Sequence, residues 1–274
     1  MSSDKVVWLM DMTPFAGKKW GNLPDVVRSI YGNEAVIETK FDPFHNEPLK
    51  LPDGDERIVI PYGGIRFCNY VERELSPKHV IFKFHSDLFK PSMAMSYGKL
   101  NTFLNADARF ETWGMIKQKF QTSGKLFIKP NIHYKTFTGF VWDMGYDDAV
   151  VVENTYSLFP TDMLLVADPK PIEQEYRFFV VGGKIVGYGE YSYEENHVNL
   201  YENFDLAKEF AQDNIHLFAS ADQNYTIDIA ISEGKPKIVE FNSINSSGLY
   251  DCNMKDFVKA VTEEAISLND HFFI

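Results

Sequence analysis

The segment YTIDIAISEGKPKIVEFN (225–242) predicts a β-hairpin, because two apolar stretches flank the turn residues SEGKP. If the turn is centred on Gly234, Asp228 lies directly opposite Glu240, an unfavourable pairing unless something neutralises the two carboxylates. Asn242 is two residues beyond Glu240 and therefore points to the same face. Carboxylate and amide oxygens are typical ligands of Mg²⁺ or Mn²⁺. A solvated sheet face, or a turn shifted by one residue, would explain the pattern without a metal.

A second hairpin is predicted by EYRFFVVGGKIVGYGEYS (175–192), whose two arms flank a Gly-Gly pair. With a two-residue turn at this pair, Glu175 lies opposite Glu190 and Arg177 lies opposite Tyr188. Glu175, Arg177 and Glu190 then share one face. That face is either an exposed charge ladder of small energetic value or a cluster in which Arg177 binds a phosphoryl group or a carboxylate through its planar fork.

The remaining apolar patterns predict an α+β protein in which mostly antiparallel strands follow a small α/β unit. In the first third, strands are predicted at 6–10, 57–64 and 79–86, and a helix at 23–32. Farther along the chain, helices are predicted at 108–121, 204–212 and 256–268, and strands at 125–130, 137–144 and 163–171.

Composition narrows the classes of function. The 274 residues carry a formal net charge of −12, which argues against a general binder of nucleic-acid backbones. Cys68 and Cys252 are the only cysteines, too few for a disulfide framework or a CxxC metal site, so a reducing, cytoplasmic setting is expected. The N-terminus lacks the pattern of a signal peptide, and no apolar run is long enough to span a membrane.

FIKPN (127–131) places Lys129 inside an otherwise apolar strand. Burying an unpaired ammonium group is unfavourable, so Lys129 needs a partner, and a phosphate group would serve. The alternative is an edge strand on which Lys129 faces solvent.

The order of these segments resembles the ATP-grasp superfamily. A strand that ends in Glu240-Phe241-Asn242 and runs into SINSSGLYD (243–251) is similar to the metal and phosphate end of that family. FIKPN, the apolar LLVADP (164–169) and the E-x-R hairpin precede it in the family's order. The resemblance covers about residues 95–270 and is closest to uncharacterised bacterial and phage ATP-grasp domains. It implies two α+β subdomains with the nucleotide between them.

The resemblance also implies a domain division: an N-terminal α/β domain at 1–95 and an ATP-grasp domain at 96–274, with a subdomain break near 163–172. For ATP, it implies that Lys129 contacts the phosphates, and that Ala167 and Asp168 contact the adenine. Glu175 matches the ribose-binding carboxylate.

Two further lysines are implied as phosphate contacts. Lys135 lies in NIHYKTFTG (131–139), which departs from the Gly- and Ser-rich loop of the family. Lys99 is the candidate for an upstream contact, and Lys117 and Lys119 are its rivals.

The implied metal ligands for Mg²⁺ or Mn²⁺ are Asp228, Glu240 and Asn242, and Arg177 and Lys129 are the implied catalytic residues. The backbone amides of Ser246, Ser247 and Gly248 are expected to bind an anionic substrate group.

We therefore expect an ATP- and Mg²⁺-dependent ligase that activates a carboxylate as an acyl-phosphate and joins it to an amine or a similar nucleophile. Its partners would be small-molecule or peptide carboxylates and amines, with no membrane partner. No basic segment interleaved with aromatic residues favours nucleic acid. A kinase-like phosphotransferase and a non-catalytic nucleotide-binding protein are the alternatives, and the oligomeric state stays open.

Overall fold

The structure is a computed structural model that describes residues 5–13, 21–42, 44, 49, 51, 55–76, 80–82, 86–119, 124–132, 137–190, 203–217 and 224–272. Its strands are β1 Val6–Asp11, β2 Val36–Thr39, β3 Ile58–Tyr62, β4 Arg109–Thr112, β5 Lys125–Pro130, β6 Phe140–Asp143, β7 Met163–Ala167, β8 Gln174–Val181, β9 Lys184–Glu190, β10 Tyr225–Ser232 and β11 Lys235–Ser243. Its α-helices are α1 Leu23–Tyr31, α2 Ile65–Leu75, α3 Pro91–Tyr97, α4 Trp113–Lys119, α5 Ala149–Tyr156, α6 Phe204–Asn214 and α7 Met254–Phe272. Short 3₁₀ turns span Asn33–Ala35, Ser86–Phe89, Leu100–Thr102 and Ile244–Ser246.

The N-terminal sheet is parallel, with the order β2-β1-β3. β1 is apolar along its length because both of its faces are covered. Trp8 faces a core that includes Phe257 of α7, and the Trp8 indole N–H donates to Thr262 Oγ1 at 3.1 Å. Leu9 faces a second core with Phe67 of α2. The C-terminal helix therefore packs on the first sheet, while the domain boundary near residue 95 stays a prediction.

The second sheet is antiparallel, with the order β11-β10-β8-β9, and α6 packs on it. The third sheet is also antiparallel, with the order β4-β7-β5-β6, and it packs on α4 and α5. The predicted α+β class and the strands at 6–10, 57–64 and 125–130 are confirmed, with ends that shift by a residue or two.

The helix predicted at 108–121 is wrong in its first part. Residues 109–112 form β4, which pairs with β7 through Arg109 and Val166. The helix begins only at Trp113. The cause is tertiary, because β4 fills an open edge of the third sheet.

Two predicted strands are shorter than expected, and two helices were missed. The strand predicted at 137–144 is confined to β6. Of 79–86, Ile81 makes an isolated parallel bridge to Val59, while 79 and 83–85 lie outside the described residues. α2 and α5 were not predicted. α5 opens on the β-branched run Val150-Val151-Val152, and the Asp148 carboxylate caps it by accepting from Val150 N at 2.7 Å. In the described part of the chain, no helix has the length and apolar character needed to cross a membrane.

Candidate active site

A cavity of about 690 Å³ separates the two antiparallel sheets. β5 and β6 of the third sheet form one wall, and β8 and β11 of the second sheet form the other. The chain segment between β7 and β8 closes one end. Of the residues chosen from the sequence, those that line this cavity are Lys129, Glu175, Glu240 and Asn242.

The β10–β11 hairpin places two carboxylates opposite each other, because Asp228 pairs with Glu240. The predicted pair is confirmed, but the predicted turn is not. Ser232 pairs with Lys235, so the turn residues are Glu233 and Gly234, with φ values of 51° and 67°. A bulge between Asp228 and Ile229 on the β10 side then shifts the register by one residue.

Arg177 neutralises Asp228 from the neighbouring strand. The two residues are paired across β8 and β10, and Arg177 Nε and Nη2 donate to Asp228 Oδ1 and Oδ2 at 2.8 and 2.7 Å. The Arg177 side chain is 3% exposed and the Asp228 side chain 0%. The guanidinium also lies 5.4 Å from the centre of the Tyr250 ring and donates to Gly248 O at 3.4 Å. Arg177 is therefore a buried support of the carboxylates, and it does not line the cavity.

Lys129 neutralises the second carboxylate from the opposite sheet. Its ammonium group forms an ion pair with Glu240 Oε2, while Asn242 Nδ2 donates to Glu240 Oε1 at 2.7 Å. Asn242 Nδ2 also lies 3.5 Å from Asp228 Oδ2. Four strands thus bring Lys129, Arg177, Asp228, Glu240 and Asn242 into one connected polar group.

The donor set in this group fits a magnesium ion by its chemistry. Asp228, Glu240 and Asn242 carry hard oxygen atoms, and the Asn242 amide bridges the two carboxylates. A half-turn of the amide would present Oδ1 in place of Nδ2, and these two atoms are assigned by hydrogen bonding alone. Among the described residues no cluster of three His, Cys, Asp or Glu side chains occurs, so the site depends on the amide.

The predicted register of the β8–β9 hairpin is wrong beyond its turn. Val180 pairs with Ile185 as expected, but a bulge follows, and Glu190 pairs with Tyr176 instead of Glu175. Arg177 pairs with Gly189 instead of Tyr188. Glu175 and Glu190 nevertheless both line the cavity.

The adenine contacts predicted at Ala167 and Asp168 do not match the cavity, which neither residue lines. Ala167 is still paired with Phe127 in the sheet. The Asp168 N–H donates to Asp107 Oδ2 at 3.2 Å, and Asp168 O accepts from Lys170 Nζ at 2.9 Å. The cavity is lined farther along the same segment, by Lys170, Ile172, Glu173 and Gln174.

The upstream lysine was also chosen wrongly, because Lys99 is exposed and does not line the cavity. Lys135 lies outside the described residues. The sequence analysis missed Asn105, a buried amide on the cavity wall, and Tyr250, the aromatic partner of Arg177. A single Asn before a turn gives no periodic or motif signal, so nothing in the sequence singled it out.

The loop with Ser246, Ser247 and Gly248 is fixed to the end of β3. Tyr62 Oη donates to Ser247 O at 2.8 Å, and Ser247 Oγ donates to Ser243 O at 2.9 Å. Burial raises the pKa of Tyr62 well above its ordinary value, so the hydroxyl stays a donor. Of this region Ser243 and Tyr250 line the cavity, whereas the three predicted anion-binding residues do not.

Comparisons with known proteins agree with this geometry. Residues 103–260 match the model of an ATP-grasp domain family, the second family of its clade. A search of the curated proteins finds no match.

Solved structures match over nearly the whole chain. A RimK domain ATP-grasp protein from Sphaerobacter thermophilus DSM 20745 has a TM-score of 0.59 at 13% identity, covering 95% of this chain and 100% of that chain. D-alanyl-alanine synthetase A from Vibrio cholerae O1 has a TM-score of 0.59 at 14% identity, covering 97% and 100%. D-alanine–D-alanine ligase from Bacillus anthracis complexed with ATP has a TM-score of 0.58 at 10% identity, covering 97% and 98%. At these identities the similarity shows the fold, which confirms the predicted architecture.

Proposed function

The chain belongs to the ATP-grasp family, and from that premise we propose that it is an ATP- and Mg²⁺-dependent ligase. It would activate a substrate carboxylate as an acyl-phosphate and join it to an amine or a similar nucleophile. One observation carries the proposal. A lysine, a carboxylate and an amide from facing sheets (Lys129, Glu240 and Asn242) meet on the wall of a cavity of about 690 Å³.

The lining residues give the nucleotide a direction in the cavity. Glu175, 4% exposed, is the proposed partner of the ribose hydroxyls. Lys170 and Ile172 lie next to it in sequence and line the same end, which suits the base. Lys129 is the cation for the phosphates, because its ammonium group already faces the group formed by Glu240 and Asn242.

Glu240 and Asn242 would hold the magnesium ion, and Asp228 would provide a third oxygen. Each carboxylate oxygen has two lone pairs, so Asp228 Oδ2 can accept from Arg177 and still provide a further contact. When bound, the ion would neutralise phosphate charge and polarise the phosphoryl oxygens.

Arg177 has a positioning role in this proposal, because its guanidinium is committed to Asp228. It fixes the orientation of that carboxylate, while Nη2 stays 3.9 Å from Glu240 Oε1. Lys129 is left as the cation in contact with the reacting phosphates, so the charge that develops during phosphoryl transfer is stabilised mainly from the third sheet.

The substrate side is proposed at the end of the cavity near Ile65, Ser243 and Tyr250. Ile65 opens α2 directly after the end of β3, and Tyr250 lies against Arg177. A carboxylate that enters there would meet the phosphate end of the nucleotide. The apolar and aromatic surfaces would exclude water from an acyl-phosphate.

Glu240→Gln tests the proposal, with Glu233→Gln in the exposed turn of the same hairpin as the matched control. The assay measures ADP release with Mg²⁺, ATP and pools of amino acids and short peptides, and adds hydroxylamine to trap an acyl-phosphate as a hydroxamate. The wild type and Glu233→Gln should form ADP and hydroxamate, and Glu240→Gln should lose at least about 100-fold in rate.

Other outcomes favour the alternatives. A stable phosphorylated product with no hydroxamate would favour a kinase-like phosphotransferase. If ATP raised the unfolding temperature without any ADP release, a non-catalytic nucleotide-binding protein would be favoured. Unchanged turnover in Glu240→Gln would exclude the metal site.

A further inference from the structure

Asn105 is a buried amide that no protein group satisfies. The residue is 8% exposed, and its side chain makes no hydrogen bond to any residue that the structure describes. An Asn amide carries two donors and an acceptor oxygen, and leaving such a group unpaired in the interior is unfavourable. Buried polar groups of this kind are rare and call for an explanation, of which a ligand is one.

The backbone around Asn105 is held from both sheets. Phe103 makes a parallel bridge to Ile238, and Leu104 N donates to Ile238 O at 2.8 Å, so this segment runs along the edge of β11. Asn105 O accepts from Ala108 N at 2.9 Å in the turn that leads to β4. The side chain therefore projects from a fixed position where the chain passes from one sheet to the other.

Asn105 lies at the phosphate end of the cavity. It lines the cavity of about 690 Å³, and with Lys129 and Glu240 it also lines an adjoining cavity of about 20 Å³. The smaller cavity holds no more than one water molecule. A ligand group that reaches Asn105 must therefore come from the larger cavity, beside Lys129.

We propose that Asn105 is a nucleotide-binding residue whose Nδ2 donates to a phosphate oxygen next to Lys129. The inference rests on the proposed function, because it requires a nucleotide in the cavity. Phosphate oxygens are the acceptors that would lie near Lys129, whereas the base and the ribose are placed at Lys170 and Glu175. A neutral amide then takes the place in which an upstream lysine, Lys99, was expected.

Asn105→Leu and Asn105→Ala test this role, with Asn101→Leu, on the exposed turn just before, as the control. Calorimetry measures the affinity for ATP, ADP and adenosine, and thermal unfolding is followed without ligand. Both Asn105 variants should bind ATP and ADP about 10- to 100-fold more weakly, because a hydrogen bond to a charged group is lost. Adenosine binding should be unchanged. Asn105→Leu should unfold at a higher temperature than the wild type, since it removes an unpaired amide.

Three results would overturn the assignment. An equal loss of adenosine affinity would show a contact to the base or damage to the whole cleft. Unchanged ATP affinity combined with a lower unfolding temperature in Asn105→Leu would show an amide satisfied by a water in the small cavity. Unchanged values throughout would show no role. A wild type that binds none of the three ligands would overturn the proposed function itself, which is a separate failure.

Discussion

Lys129 and Glu240 form an ion pair across the cavity, so that β5 of one sheet is joined to β11 of the other. The two side chains are 17% and 16% exposed, and both line the cavity. In the proposed function each of them has another partner, phosphate for Lys129 and the metal for Glu240. Binding of Mg-ATP therefore exchanges one buried ion pair for two new contacts, and the ion pair competes with each of them.

Lys129→Met should change nucleotide and metal binding in opposite directions. ATP affinity should fall about 10- to 100-fold, because a charge-assisted contact is lost. Affinity for Mg²⁺ alone should rise, because Glu240 is released from its ammonium partner. Calorimetry with ATP and with Mg²⁺ separately measures both effects.

Lys125→Met is the matched control for that experiment. Lys125 lies on the same strand, but it is 64% exposed and pairs with Asp143. It should leave both affinities unchanged. If Lys129→Met weakened Mg²⁺ binding as well as ATP binding, the competition between the ion pair and the metal would be disproved.

Arg177→Met should strongly destabilise the fold. Asp228 is fully buried, and the substitution would leave its carboxylate without the bidentate partner, at a cost of about 3–5 kcal/mol in the free energy of unfolding. Arg177→Lys should recover only part of this loss, since an ammonium group cannot reproduce the two parallel bonds. Urea unfolding measures the difference.

The control for Arg177 is Arg109→Met, because Arg109 is 41% exposed and pairs with Glu111 at 2.9 Å. This surface pair should contribute less than about 1 kcal/mol. A cost for Arg177→Met no larger than that of Arg109→Met would mean that Asp228 is satisfied without Arg177. Its position in the site would then need another explanation.

The paired carboxylates show how far a sequence can predict a site. Asp228 was predicted to face Glu240 from a turn centred on Gly234, whereas the turn is one residue tighter and a bulge restores the pairing. In the other hairpin the turn was right and the bulge was not foreseen, so the predicted partner of Glu190 was wrong. Bulges depend on how the whole sheet twists and packs, and local turn residues do not encode them.

Long-range contacts set the second limit. The apolar strand around Lys129 is visible in the sequence, but its partner Glu240 lies on another sheet and follows from the fold alone. The linker shows the same limit. LLVADP pointed to Ala167 and Asp168, yet Asp107 engages the Asp168 amide from a distant turn, and the cavity is lined from Lys170 onward.

Asp107 joins the two chain segments that pass between the sheets, and Asp107→Asn should weaken that connection. Asp107 Oδ1 accepts from Lys170 Nζ at 2.7 Å, and Oδ2 accepts from Asp168 N at 3.2 Å. Partial burial raises the pKa of Asp107, but these two hydrogen bonds outweigh it and hold the pKa below its ordinary value.

The lowered pKa fixes the pH dependence of this effect. Because the folded pKa lies below the unfolded value of about 3.9, the stabilisation is present above pH ~4 and is lost as the pH falls through the folded pKa. Wild type and Asp107→Asn should differ by at most about 1 kcal/mol at pH 7, since the pair is partly exposed. Their urea midpoints should converge in strong acid. A difference that grows as the pH falls would contradict the assignment.

Cys68 and Cys252 should resist alkylation in the folded protein. Both thiols are buried, and burial raises the pKa of Cys252 to about 12 and that of Cys68 well above its usual range. Iodoacetamide at pH 8 should label neither in native buffer and both in urea. Labelling of either thiol at the rate of a free cysteine would contradict the packing of Cys252 against Gly187 or of Cys68 in α2.

The same thiols should make the fold sensitive to alkali. Their folded pKa values are raised, so the stabilisation is complete below the unfolded pKa of about 8.5 and is lost as the pH rises toward the folded values. Between pH 9 and 10 each thiol should lower the free energy of unfolding by about 1.4 kcal/mol per pH unit. Cys68→Ala changes the stability at pH 7, but its diagnostic effect is on the slope, which should fall by about half the thiol contribution. An unchanged slope would mean that the Cys68 thiolate forms as readily in the folded chain as in the unfolded one.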